Sequence, residues 1–368
     1  MLKFISILFL FFSLSCKEDS IEAPFLEYIN SYIVLNEGIN AESTISSISK
    51  DFITFRENVF FNENKSEIGN KLISAHSYEN DIYLILSGSN KIEIVNKRNF
   101  KSVASISASL SNPRYCLVKN EKLYVTNWGT NTNGSTNYLS IYNLADKSFI
   151  KSISLSSDGT VEQLYAIGNY LYVLNNGNGE GTKLSVINLT SESVETTITL
   201  SQAPDSATIL GRDLYLLCSG KTESSGAISN EAEIWRITET TAKNIFDFDD
   251  LSGGQTAKFI TSNNNNLYFV LKQTLSKENF IEGVYKIPVD GDFKDLSMVI
   301  DFNYPKLYNY KIETVHNLSI LKDQIVLLET KNADLGKKNG NAYFYTTSGN
   351  FITSFLVGIT PNFVFYNE

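Results

Sequence analysis

The chain has 368 residues, with 31 lysines and arginines against 40 aspartates and glutamates, and a formal net charge of −9. This acidic balance excludes the clustered basic face that phosphate backbones require, so nucleic acid is not an expected partner. Three cysteines and two histidines leave little material for a disulfide framework or a metal site.

The first fifteen residues have the pattern of an export signal. Lys3 precedes an apolar or small-polar run over residues 4–14, which is too short to span a bilayer. The alternative is a buried N-terminal strand. Residues 13–16, Ser-Leu-Ser-Cys, resemble a bacterial lipobox, although Leu14 stands one position later than the usual large aliphatic residue. The resemblance implies that Cys16 is lipidated and becomes the N-terminus.

The residues after Cys16 bear on location. Lys17-Glu18-Asp19 resembles the short acidic signal that directs some such lipoproteins to the outer surface of the outer membrane. A solvated linker on the periplasmic side is the alternative. We therefore expect a signal peptide over residues 1–15, a lipidated linker over 16–30 and one domain over 31–368, held at the membrane by its lipid anchor only.

A short apolar strand, often carrying a tyrosine, recurs seven times along this domain. The seven copies are residues 33–36, 82–86, 123–127, 171–175, 214–217, 267–271 and 325–328. Their spacing runs from 41 residues (Tyr83 to Tyr124) to 58 (Tyr268 to Val326). Two further strands follow each copy, and no segment has a sustained helical period. The pattern predicts an all-β, seven-bladed β-propeller with four-stranded antiparallel blades.

The two ends of the domain predict how the ring closes. The first unit has no inner strand before it, whereas the last residues, ITPNFVFYNE, have the pattern of an inner strand with no blade after it. We expect the C-terminal strand to complete the first blade, which pairs both open edges. Cys116 and Cys218 fall in strands of different repeats and are expected to be buried free thiols.

Residues 111–129 form the best-preserved repeat. The strand Leu123-Tyr124-Val125-Thr126-Asn127 contains the signature of the YVTN, or YncE-like, β-propeller repeats, and Asn112-Pro113-Arg114 is similar to the opening of that family's inner strand. The resemblance covers nearly the whole mature chain and implies the same fold. Because propellers host many activities, function has to be argued from the site.

Long polar loops between second and third strands, at one end of the predicted ring, contrast with short turns at the other end. This asymmetry favours a binding face, and tolerated surface insertions are the alternative. The inner strands enter at the same end. Counting ten residues back from the equivalent residue of each second strand (Tyr124 in the third copy, for example) gives mostly polar positions: Ile73, Arg114, Glu162, Asp205, Lys258 and His316, with Asn362 or Phe363 from the C-terminus. They are expected to line the mouth of the central channel, either around a ligand or around water. The predicted ligand-binding residues are Arg114, Asn127, Trp128, Glu162, Asn175, Asp205, Lys258, Tyr308 and His316.

No catalytic or metal-binding motif is recognisable, and no cofactor is expected. The main hypothesis is a non-catalytic capture protein, similar to surface lipoproteins with YncE-like propellers that capture corrinoids of the vitamin B12 type. That resemblance implies a corrinoid-like ligand passed to a TonB-dependent outer-membrane transporter; a glycan would suit the polar loops equally. The alternatives are a hydrolase or lactonase that uses the ring carboxylates with His316, and a protein-binding scaffold.

Overall fold

The computed structural model describes residues 27–38, 42–130, 136–155, 158–223, 228–248, 255–272, 282–302, 312, 314–330 and 338–368. Within them, seven four-stranded antiparallel sheets are arranged as a ring of blades, as the sequence predicts. From the inside outwards, the strands of blades 1 to 7 are β30 (Pro361–Asn367), β1 (Ser31–Asn36), β2 (Thr44–Ser49), β3 (Phe55–Arg56); β4 (Leu72–Tyr78), β5 (Asp81–Leu86), β6 (Lys91–Asn96), β7 (Ser102–Ile106); β8 (Pro113–Lys119), β9 (Lys122–Asn127), β10 (Tyr138–Asn143), β11 (Phe149–Ser154); β12 (Val161–Ile167), β13 (Tyr170–Asn175), β14 (Lys183–Asn188), β15 (Ser193–Thr199); β16 (Pro204–Leu210), β17 (Asp213–Cys218), β20 (Glu233–Thr238), β21 (Thr241–Asp247); β22 (Thr256–Asn263), β23 (Asn266–Lys272), β24 (Gly283–Pro288), β25 (Ser297–Asp301); and β26 (Val315–Leu321), β27 (Gln324–Glu329), β28 (Asn339–Thr346), β29 (Phe351–Ile359). A small hairpin, β18 (Lys221–Thr222) with β19 (Ile228–Asn230), extends blade 5, and short 3-10 turns occupy Gly177–Gly179 and Phe293–Asp295.

The C-terminal strand closes the ring. β30 pairs antiparallel with β1 and supplies the inner strand of blade 1, so the first sheet joins residues from both ends of the domain. The prediction of closure is confirmed. The pairing covers the inner edge of β1, and β30 takes the innermost position that the first strand of every other blade holds.

The second strands form the core, because each lies between two neighbours of its own sheet and between two blades. All seven predicted copies are confirmed, and their residues are almost wholly buried. The recurring tyrosines are at most 4% exposed and pack among aliphatic side chains of their own and neighbouring blades; they are Tyr83, Tyr124, Tyr172, Tyr215 and Tyr268. Cys116 and Cys218 are buried free thiols, as predicted.

One helix departs from the sequence prediction. Helix α1 (Val59–Asn64) follows blade 1, buries Val59 and Phe60, and has no side-chain hydrogen bond at its N-cap residue Asn58. Six residues are too few for a stable isolated helix, so tertiary packing holds it, which explains why no helical period marks it in the sequence. Tyr28, in the stretch predicted as linker, packs in the same cluster.

The ring has two distinct faces. We call the end at which inner strands begin and second strands end the loop face, and the opposite end the turn face. Within the described parts of the chain, no helix is both long and apolar enough to cross a membrane.

Candidate functional site

The channel mouth lies on the loop face and is shaped by a repeated backbone irregularity. In every blade, the register between the inner and second strands breaks at or just after the predicted mouth position. In blade 3, for example, Pro113 pairs with Asn127, but the next pair is Cys116 with Val125. Such bulges re-aim side chains and are common next to functional sites. Each residue that the sequence count selects therefore lies at or beside the register break of its own blade.

Side-chain hydrogen bonds connect neighbouring blades around this level. Each bond runs from a side chain of one blade to the backbone of the next, or the reverse. In ring order they are Asn317 Nδ2 to Asn362 O (3.4 Å), Asn362 Nδ2 to Leu72 O (3.1 Å), Ser74 Oγ to Arg114 O (2.6 Å), Thr126 Oγ1 to Glu162 O (2.8 Å), Asn176 Nδ2 to Pro204 O (3.1 Å) and Phe259 N to Asp205 Oδ2 (2.9 Å). Mouth residues therefore take part in holding the ring together.

Arg114, Trp128 and Glu162 form a compact cluster between blades 3 and 4. Arg114 Nε donates to Glu162 Oε2 at 2.9 Å, and the guanidinium carbon lies 4.3 Å from the Trp128 ring centroid. Trp128 Nε1 donates to Val161 O at 2.8 Å, which fixes the indole. The side chains of Arg114 and Glu162 keep 17% and 16% of their exposure, so the cluster is half-buried rather than closed. A stacked guanidinium with N–H donors that no described residue uses is a preorganised group for carbonyl acceptors.

Acidic groups surround Arg114. Burial raises the pKa of Glu162, against the opposing effect of Arg114. Burial also raises the pKa of Glu37, and Arg114 and Lys71 oppose that rise. Burial alone would lower the pKa of Arg114, but Glu162 raises it above its ordinary value, so the guanidinium stays charged. One arginine thus faces two carboxyls, and this part of the mouth is not a simple anion site.

The opposite part of the mouth is basic. Lys258 of blade 6 and His316 of blade 7 occupy mouth positions, and Lys272 ends the second strand of blade 6. We call these three residues the basic sector. Burial lowers the pKa of His316, and Lys272 and Lys258 lower it further, so its imidazole is neutral at pH 7. Lys272 Nζ has Glu282 Oε1 at 4.0 Å, the limit of an ion pair.

Two predicted residues are structural. Asn127 is fully buried; its Nδ2 donates to Val125 O (3.0 Å) and Ser140 Oγ (3.2 Å), and its Oδ1 accepts from Ser111 N (3.1 Å). Asn175 is also fully buried and accepts a bond from Ser185 Oγ at 3.2 Å. Because both side chains are fully buried and hydrogen-bonded within their own blades, we assign the site without them.

Other expectations fall outside the described residues. They concern Tyr308 and the lipidation site Cys16, together with parts of most of the long loops.

The sequence reading missed Glu37 and Lys272, although a signal for both is present. Asn36 of β1 and Leu271 of β23 are equivalent to Asn127 of β9 in their pairing with the inner strands. Glu37 and Lys272 therefore occupy the position of Trp128 in their own blades, and Lys272 extends the pairing by one residue, to Thr256. Counting one residue beyond each second strand would have found them.

A separate cavity lies on the turn face, between blades 2 and 3. Its volume is about 560 Å³, and Lys147 projects into it, donating from Nζ to Tyr83 OH at 3.2 Å. None of the predicted site residues lines it. Its lining residues are Tyr78, Glu79, Asp81, Tyr83, Asn120, Glu121, Lys122, Asn143, Leu144, Ala145 and Lys147.

The mouth carboxylates have structural partners. Glu162 is bound to Arg114, and Asp205 Oδ2 accepts from Phe259 N and from Ser206 Oγ (3.0 Å). In the described part of the chain, no group of three His, Cys, Asp or Glu side chains has a geometry suited to a metal ion.

Comparisons with known proteins support the fold. No protein-family model matches the chain, and no curated protein matches it. Among solved structures, the chain is similar to the computationally designed Ika8 protein (TM-score 0.55, 9% identity, 91% of this chain and 92% of that one). It is also similar to BamB from Moraxella catarrhalis (0.51, 10%, 89% and 82%) and to apo AztD from Citrobacter koseri (0.50, 8%, 91% and 96%). At these identities the likeness shows the propeller fold alone. Membership of the YVTN family stays a prediction.

Proposed function

We propose that this protein is a non-catalytic capture protein that binds a small polar ligand at the loop-face mouth of its channel. The observation that carries the proposal is the half-buried Arg114, held between the Trp128 ring and the Glu162 carboxylate. Because the fold already holds the guanidinium in one orientation, ligand binding loses less side-chain entropy. The aromatic face beside it offers stacking area.

The chemistry of the mouth favours a ligand with many neutral hydrogen-bonding groups. Donors from Arg114 and Lys258 stand at the same level as acceptors from Glu162 and Asp205. Amide groups both donate and accept, so an amide-rich molecule satisfies such a mixed rim better than a simple anion or cation does. A corrinoid-like nutrient is our specific proposal, in line with the YncE-like resemblance of residues 112–127.

The proposed setting is the outer membrane. Lipidation at Cys16 would attach the protein there, and the acidic residues after it favour display on the cell surface. A captured nutrient would then pass to a TonB-dependent transporter.

Isothermal titration calorimetry tests the proposal, with the chain from residue 17, which omits the lipidated Cys16, and with cyanocobalamin, a branched glycan and an unrelated peptide as ligands. We expect saturable binding of cyanocobalamin without turnover, and a loss of at least about tenfold in affinity for Arg114→Ala, as expected for a charge-assisted contact. The matched control is Arg236→Ala, because Arg236 pairs with Asp213 in blade 5 toward the turn face.

Three results would contradict the proposal. Conversion of a ligand to product would favour the hydrolase alternative. Binding of the peptide alone would favour a scaffold. Equal losses for the two arginine variants would remove the site from the loop face.

A further inference from the structure

The basic sector lies at the junction between blades 6 and 7. A side-chain hydrogen bond joins neighbouring blades near the mouth at six of the seven junctions. Between blades 6 and 7, the described residues form no such bond at this level. Among the described residues, Asn263 Nδ2 of blade 6 donates to Asp323 Oδ1 of blade 7 at 3.5 Å, but this bond lies at the turn face. At the mouth, the described residues therefore leave blades 6 and 7 without a side-chain hydrogen bond between them.

Positive charge is concentrated at the same junction. Lys258 is exposed at its mouth position, and the Lys272 side chain keeps 29% of its exposure. The carboxylate within ion-pair distance belongs to Glu282, at 4.0 Å from Lys272 Nζ, which is long for a charge-assisted bond. His316 Nε2 is buried and has no hydrogen-bond partner among the described residues. Among the described residues, the carboxylates that act on Lys272 are those of Glu282 and Asp205, and no ion pair shorter than 4.0 Å reaches either lysine.

We propose that Lys258, Lys272 and His316 form an anion subsite between blades 6 and 7, which takes a phosphate or carboxylate group of the captured ligand. The proposal rests on the proposed function, because it names the charged group of the same ligand. Lysine ammonium groups act as point charges with rotatable donors, which suits a tetrahedral or planar anion. An anion held by the three residues also bridges the two blades at the mouth, where the described residues form no side-chain hydrogen bond between them.

The other part of the mouth directs the anion to this sector. Near Arg114, the carboxyls of Glu37 and Glu162 repel an incoming negative group and accept hydrogen bonds from neutral ones. The inferred ligand class is a molecule with one anionic group and, across the mouth, neutral amide or hydroxyl groups.

Calorimetry at low ionic strength tests the subsite, with inorganic phosphate and acetate as probes on the chain from residue 17. We expect phosphate to bind wild type and to bind the double variant Lys258→Gln/Lys272→Gln at least about tenfold more weakly, as for charge-assisted contacts. The matched control is Lys119→Gln, because Lys119 ends an inner strand at the turn face. If the double variant fails to fold, the exposed Lys258→Gln variant replaces it.

The outcomes separate the two proposals. Phosphate binding without acetate binding assigns a phosphate, and binding of both assigns either anion by charge. No anion binding to wild type, or equal binding to the double variant, overturns the subsite while leaving ligand capture intact. Loss of anion binding in the double variant supports the subsite even where cyanocobalamin does not bind.

Discussion

Removal of the closing strand is expected to unfold the ring. Truncation after Thr360 deletes β30, which pairs with β1 at six positions. About six backbone hydrogen bonds at ~1 kcal/mol net each, together with the burial of Val364 and three half-buried aromatic rings, contribute roughly 10 kcal/mol. Because domains are stable by only about 5–15 kcal/mol, the truncated chain should have no cooperative unfolding transition.

Urea denaturation followed by circular dichroism measures this. A graded companion is Val364→Ala, which removes two buried methyl groups and should cost about 1–3 kcal/mol. Val103→Ala on the outer strand β7 is the matched control, because Val103 is 55% exposed and should change stability by less than about 0.5 kcal/mol. An unchanged midpoint for the truncated chain would refute closure by β30.

Three further changes test other parts of the account. Asn127→Ala should destabilise the fold by about 2–4 kcal/mol, because it leaves buried hydrogen-bonding partners unsatisfied, and it should leave ligand affinity unchanged. Asn120→Ala, in an exposed turn, is the control. A loss of ligand affinity in Asn127→Ala without a loss of stability would contradict the structural role. Burial raises the pKa of Glu37, so the folded state binds more protons than the unfolded chain just above pH 4.5, and this carboxyl lowers stability as the pH rises. Glu37→Gln should therefore melt above wild type at pH 7, with the gap closing below pH 4.5; a constant gap in thermal melts would refute the assignment. Cys16→Ala should abolish metabolic labelling by radioactive palmitate and release the protein from membranes, and labelling that persists would exclude Cys16 as the lipidated residue.

The repeat made the fold predictable. Second strands are buried on both sides, so each appears in the sequence as a short apolar run. The tyrosine at a fixed position in these runs aligned the repeats with one another, and this alignment selects Arg114 and Glu162 as equivalent positions of blades 3 and 4. Helix α1 was not predictable, because Val59 and Phe60 owe their burial to the neighbouring blades rather than to a local period.

The site was only partly predictable for a related reason. Asn127 and Asn175 are polar and follow strands toward the loop face, as a ligand residue would, yet their amides serve buried hydrogen bonds within their own blades. Sequence alone does not tell whether a polar side chain at a strand end turns inward or towards the channel. Trp128 directly follows Asn127, and Glu37 holds the equivalent position in blade 1. Both lie near Arg114 at the mouth.

The two tryptophans of the chain allow the most direct test of ligand capture at the mouth. Trp128 stacks on Arg114, whereas Trp235 lies in the third strand of blade 5, with its Nε1 donating to Glu233 Oε2 at 2.7 Å. Fluorescence titration with cyanocobalamin, corrected for its absorbance, would compare Trp235→Phe, which retains Trp128, with Trp128→Phe, which retains Trp235. We predict a saturable change for the protein that retains Trp128 and little change for the other. An equal response from both, or none from Trp128, would contradict the central claim.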